Sequence, residues 1–280
     1  MKMRNTLLTC LPVFAALAPL SAGAVITFET AEGYTAPVSF GPVNGSTVNA
    51  PFTGLNGWSA STSTSQGQVV ATTGSGEYVG GQALTAGGTG TYIGGLRGGL
   101  QYTGVNSIAF DAQYATGIGV GFLGDYDGDG FFDQGSGGAN GDPGLAFGVG
   151  GSPARFEARY ASFGTELFNP ANLQGTGGNW YHFNALIGDS LSGSREITLS
   201  VYNLTTSTLV DLNGAADGTD WKFNLTDAQF GVAPEAALGV FVRLTSAAKV
   251  DNLLLTVVPE PAAIQLFGLG LLALLHRRRA

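Results

Sequence analysis

The chain has 280 residues, of which 45 are glycine and only 11% are charged. Its formal net charge is −8 at pH 7, and between Val25 and Val258 there are 19 Asp and Glu against 7 Lys and Arg. So acidic a body repels a phosphate backbone and excludes nucleic acid as a partner. Glycine at this density breaks helices and keeps no strict three-residue period, which excludes collagen.

The chain opens with Lys2 and Arg4, continues through a mostly apolar run over 7–20 and reaches Ala22-Gly23-Ala24. A basic start, an apolar stretch and small residues at its end predict a signal peptide over 1–24, removed by signal peptidase so that the mature chain begins at Val25. Cys10 is the single cysteine, so it leaves with the leader and the exported protein carries no disulfide. Residues 25–258 contain no evident linker and fit one large β domain.

Strands follow in series. Ile108, Phe110, Ala112 and Tyr114 alternate with Ala109, Asp111 and Gln113. Phe156, Ala158 and Tyr160 alternate with Glu157 and Arg159, and Ile197, Leu199 and Val201 with Thr198, Ser200 and Tyr202. Leu238, Val240, Val242 and Leu244 alternate with Gly239, Phe241 and Arg243. Each period of two predicts one face in the core and one in water. Further strands are expected over 25–29, 69–72, 78–84, 117–123, 145–150, 179–187, 208–212, 221–225 and 249–257. About a dozen strands separated by Gly-rich turns imply an all-β, antiparallel two-sheet sandwich.

One stretch carries metal-ligating chemistry. Asp125, Asp127, Asp129 and Asp133 stand at positions 1, 3, 5 and 9 of a loop with Gly130 at position 6. Alternate carboxylates around a glycine-permitted turn point at one centre, the pattern of a calcium loop. Position 12 is Ser136 rather than a bidentate glutamate, so calcium stands beside a solvated acidic hairpin loop as the alternative. Tyr126, Phe131 and Phe132 interrupt the acidic run and are the candidate rings for contact with a sugar.

Other patterns carry less. Residues 119–124 spell Gly-x-Gly-x-x-Gly, but Asp125-Tyr126-Asp127-Gly128 follows and cannot start the helix that a dinucleotide site needs. His182 is the single histidine of the body and is expected to be held by a strand neighbour. Glu157 and Glu196 stand singly in their strands, each with an arginine as its nearest charge, so the opposed carboxylates that glycoside hydrolysis needs are missing.

The C-terminus has three parts in order. Pro259-Glu260-Pro261 presents an extended, solvated backbone; 262–275 is apolar except for Gln265; Arg277, Arg278 and Arg279 close the chain. As a helix those fourteen residues reach roughly 21 Å, short of the roughly 30 Å of a hydrocarbon core, which fits a transient anchor with its arginines on the cytoplasmic side. This tail, 259–280, resembles the PEP-CTERM sorting signal of Gram-negative bacteria that make extracellular polysaccharide. The resemblance implies that the membrane protease exosortase acts at or near the Pro-Glu-Pro, and that the protein crosses the inner membrane to the outer cell surface or the matrix.

Ile26-Thr27-Phe28-Glu29, Leu55-Asn56-Gly57-Trp58, Gly80-Gly81-Gln82-Ala83-Leu84 and Val250-Asp251-Asn252-Leu253 resemble pieces of exported PEP-CTERM proteins with a jelly-roll body of the concanavalin-like lectin/glucanase type. That resemblance implies that the first and last strands pair. The expectation is a non-catalytic surface or matrix protein that binds calcium and extracellular polysaccharide. The alternative is a glycan-active hydrolase or lyase on the same fold.

Overall fold

The alternation in the sequence becomes strands wherever a glycine-rich turn can reverse the chain, because period two puts all the apolar side chains of a segment on one face. The computed structural model describes residues 24–34, 36, 38–40, 58–60, 67–72, 81–86, 91–97, 105–123, 144–160, 165–215, 220–230, 239–245 and 247–257. All of them belong to one unit, Gly23–Val258. The strands in chain order are β1 (Ala24–Ile26), β2 (Val38–Phe40), β3 (Trp58–Ala60), β4 (Gly67–Ala71), β5 (Gln82–Ala86), β6 (Thr91–Arg97), β7 (Val105–Gln113), β8 (Gly117–Leu123) and β9 (Gly144–Gly150). There follow β10 (Arg155–Tyr160), β11 (Thr165–Phe168), β12 (Trp180–Ile187), β13 (Ser194–Asn203), β14 (Thr208–Leu209), β15 (Trp221–Thr226), β16 (Gly239–Thr245) and β17 (Lys249–Val257). Helix is confined among the described residues to a 3-10 turn at Thr30–Glu32 and the four-residue α1, Asp227–Phe230.

Two antiparallel sheets result. One runs β14-β13-β12-β7-β17-β5-β4-β2, with β1 also on β17 and β15 on β13. The other runs β11-β10-β9-β8-β16-β6-β3. Strands β8 and β17 have the bounds expected from the sequence. Strands β2, β3, β6 and β11 were not anticipated. The first and last strands do pair, with Val25 opposite Leu254.

The inward faces close one apolar core. Phe110 of β7 and Phe183 of β12 stack at 4.7 Å between centroids. Phe156, from the seven-stranded sheet, meets Tyr181 of the other sheet edge-on at 5.2 Å. Each such ring, fully buried, contributes about 1.5–3 kcal/mol. Trp180 and Trp221 are buried as well.

The outward faces depart from expectation. Residues opposite the core were expected in water, yet Asp111, Glu157 and Phe241 are buried, Phe241 completely. Both sheets are therefore covered over part of their outer surface, and polar side chains there need partners.

Candidate functional site

The outer face of the seven-stranded sheet is laid out by register. Arg243 of β16 lies opposite Gly119 of β8, Gly119 opposite Gly148 of β9, and Gly148 opposite Glu157 of β10. A cation and a carboxylate thus stand three strands apart, roughly 14 Å between backbones, with only glycine between them. The next row runs Phe241, Gly121, Ala146, Arg159 and then Glu166 of β11. The result is a trough of about 230 Å³ floored by Gly117, Gly119 and Gly150 and walled by Glu157, Arg159 and Arg243. Thr116 and Thr245 stand at one end, and the Thr116 hydroxyl hydrogen-bonds to the Thr245 carbonyl at 2.9 Å.

Arg159 organises the charges. Its Nε donates to Glu157 Oε1 at 2.6 Å and its Nη2 to Glu157 Oε2 at 3.2 Å, while Nη1 meets Glu166. Burial pushes the Glu157 carboxyl above the ordinary range even though Arg159 pulls it down. Desolvation wins because Glu157 is only 3% exposed. Burial likewise lowers the Arg243 guanidinium, the nearby positive charge of Arg159 adding to the effect, and Arg243 Nε is buried without a hydrogen-bond partner. A carboxyl raised by burial is a better proton donor than an ordinary one, and arginine forks fit planar oxyanions.

Sequence reasoning set Glu157 apart as a lone acid beside Arg159. The ion pair is there, but Glu166 shares the same guanidinium from the neighbouring strand, so the acid does not stand alone. Nothing local signals this, since Glu166 is reached across the β10–β11 ladder. The alternation of β16 predicts a solvated Arg243, whereas the folded sheet sets it in the wall of the trough.

The opposite sheet carries a second polar group on its outer face. His182 Nδ1 lies 2.6 Å from Asp111 Oδ1, so the strand neighbour expected for this histidine is Asp111. Asn252 Nδ2 donates to Asp111 Oδ2 at 2.8 Å. Asp251, opposite Asp111 in register, has no exposed surface. Its carboxyl is pushed up to about 8 by burial, with Asp111, Glu29 and Glu32 adding to the rise against a backbone hydrogen bond from Asn252.

The candidates named from sequence, Asp125, Asp127, Asp129, Asp133, Tyr126, Phe131 and Phe132, lie outside the described residues, as do Pro259, Glu260, Pro261 and Arg277, Arg278 and Arg279. Among the described residues no three His, Cys, Asp or Glu side chains converge as for a metal, and no helix is long and apolar enough to cross a membrane.

No protein-family model matches the chain, and no curated protein does. Among solved structures it is similar to a marine alginate lyase from Aplysia kurodai, at 12% identity over 80% of this chain and 100% of that one, with a TM-score of 0.37. A carbohydrate esterase of the Shiga toxin-encoding bacteriophage phi24B matches at 16% identity over 84% and 99%, TM-score 0.40. The alginate lyase Aly36B matches at 13% over 83% and 96%, TM-score 0.33. These are likenesses of a β-sandwich at low identity. The expectation of a non-catalytic body is corrected here: these similar solved structures are two alginate lyases and a carbohydrate esterase. Glu157 does not stand alone in the folded sheet, since Glu157 and Glu166 meet on Arg159.

Proposed function

We propose that residues 25–258 form a jelly-roll, concanavalin-like sandwich that acts on polysaccharide in the trough, as a hydrolase or lyase, with Glu157 as the group that transfers the proton. The observation that carries this is a carboxyl group nearly sealed from water, held by a guanidinium, on a wall of an otherwise glycine-floored groove. Glycine leaves the backbone bare, so a flat sugar ring can lie against the sheet. Burial raises the Glu157 carboxyl above its ordinary value and so favours its protonated form, and Arg159 fixes the carboxyl in place through both of its oxygens. When Glu157 gives up its proton, the same guanidinium neutralises the charge that forms.

Delivery completes the reading. The leader over 1–24 and the PEP-CTERM-like tail over 259–280 support export through the inner membrane and sorting by exosortase to the outer surface or matrix, where polysaccharide is at hand. The 125–133 loop is joined to β8 and β9 at the ends away from Gly117 and Gly150. We assign it calcium binding, with Tyr126, Phe131 and Phe132 as sugar-contacting rings beside that ion.

The test is turnover of a polysaccharide panel that includes the host's own exopolymer. New reducing ends report any chain cleavage; unsaturated, ultraviolet-absorbing ends report elimination alone. Glu157→Gln should lower turnover by about 10²–10⁴-fold with the fold intact by circular dichroism. Absence of both products on every polymer, or full activity in Glu157→Gln, overturns the reading.

A further inference from the structure

The two guanidiniums of the trough are not equivalent. Arg159 is neutralised twice, by Glu157 and by Glu166. Arg243 makes no ion pair among the described residues, its Nε is buried without a partner, and it faces the space above Gly119. Glu157 and Glu166 act on this guanidinium only from a distance, and a desolvated cation with an unpartnered Nε is costly; such a charge is retained where an anion arrives to meet it. We propose that Arg243 binds the carboxylate of a uronic acid residue, so that the polymer acted on in the trough is an acidic polysaccharide; this rests on the trough being the glycan site.

The charges on the walls select the kind of anion. Glu157 and Glu166 both pair with Arg159, so Arg243 is the guanidinium left without an ion pair among the described residues. A singly charged carboxylate gives it a partner with the least added negative charge beside Glu157 and Glu166. A doubly charged phosphate would bring twice that charge to the same two carboxylates. The guanidinium fork pairs with a planar carboxylate through two parallel hydrogen bonds. The trough, about 230 Å³, has room for one monosaccharide unit of a longer chain. The glycine floor and the paired Thr116 and Thr245 hydroxyls, 2.7 Å apart, suit its ring and its hydroxyl groups.

Affinity electrophoresis of the exported protein tests this with four polymers: a polyuronate, the same polyuronate with its carboxyls reduced to alcohols, a neutral glucan and a sulfated galactan. Retardation by the polyuronate is expected, with at least tenfold weaker binding after carboxyl reduction. Arg243→Met should bind the polyuronate at least tenfold more weakly than the wild type, and Arg243→Lys should fall between them. Glu157→Gln should lose turnover yet still be retarded by the polyuronate. Equal retardation by the reduced polymer or the glucan overturns the assignment, as does preference for the sulfated galactan. The reduced polymer reads this on the unmodified protein, so a poorly folding Arg243→Met leaves the test intact. Turnover of neutral glucan that needs Glu157 but not Arg243 would sink this inference and keep the proposed activity. Arg243-dependent polyuronate binding without cleavage of any polymer would do the reverse.

Discussion

Asp251 shows what a single side chain can do to the whole stability profile. It sits on the outer face of β17 with no exposed surface, and its Oδ2 has no hydrogen-bond partner. The neighbouring residue Asn252 lies at φ 48, where β17 slips its register on β7. A slip of this kind re-aims side chains and here leaves Asp251 facing Asp111. The ordinary value of the group is 3.8 and its folded value about 8. Between those limits the folded protein binds more protons than the unfolded chain, so stability is greatest at the acid end and declines as pH rises through about 8. Glu157, also raised by burial, acts in the same direction. Thermal melts from about pH 4.5 to about 8.5, which span most of that window, should show a falling melting temperature. The slope per group is limited to about 1.4 kcal/mol per pH unit. Asp251→Asn should flatten it; an unchanged slope would remove Asp251 as the cause.

At the scale of elements, β8 and β9 are built so that only glycine fits at two positions. A Cβ on Gly148 would lie 1.9 Å from the Ile118 carbonyl oxygen, and one on Gly121 would lie 1.9 Å from that of Leu145. Both are contacts with backbone, which cannot rotate away. Gly119 differs, since its Cβ would meet only Arg243 Cβ at 3.9 Å, an ordinary contact. Gly148→Ala is therefore expected to cost about 3 kcal/mol or more, while Gly119→Ala should change stability by less than about 1 kcal/mol. Urea titration of the two variants checks the contrast, and equal midpoints would contradict the geometry. Gly121 and Gly148 thus serve the close approach of the strands, while Gly117, Gly119 and Gly150 leave the trough floor bare.

For the whole molecule, the pairing of β1 with β17 ties the start of the body to its end. Val25 opposes Leu254 and Ile26 opposes Leu253, and Phe28 just beyond is fully buried against Tyr34, 5.4 Å between ring centroids. A chain beginning at Val25 keeps both pairs and the ring. One beginning at residue 29 loses them and should be less stable by about 3–5 kcal/mol, the range for removing a core phenylalanine. Intact-mass analysis of protein from its host should find a start at Val25 and no C-terminal arginines, as sorting by exosortase requires. A mass that retains Arg277, Arg278 and Arg279 would remove that route.

The sequence by itself determined the all-β class and which side of most strands faces the core. Phe156, Ala158 and Tyr160, or Val240, Val242 and Leu244, can be assigned inward from period two alone, because a strand's alternation is a property of consecutive residues. It determined β8 to the residue, since its glycines alternate with apolar residues, and it reached the bounds of β17 although the register slip after Asp251 breaks the alternation there. It did not reveal β6, where Gly94-Gly95 interrupts the pattern, nor β11, too short at four residues to show one. What only the tertiary structure decided is the other face. Glu157 and Phe241 look solvated in a strand taken singly and are buried in the assembled sheet. The joining of Glu157, Glu166 and Arg159, and the placing of Arg243 across two glycines from Glu157, follow from which strands become neighbours and in what register. That information is non-local: each strand carries its own alternation, but only the assembled sheet brings side chains from β10, β11 and β16 to one groove.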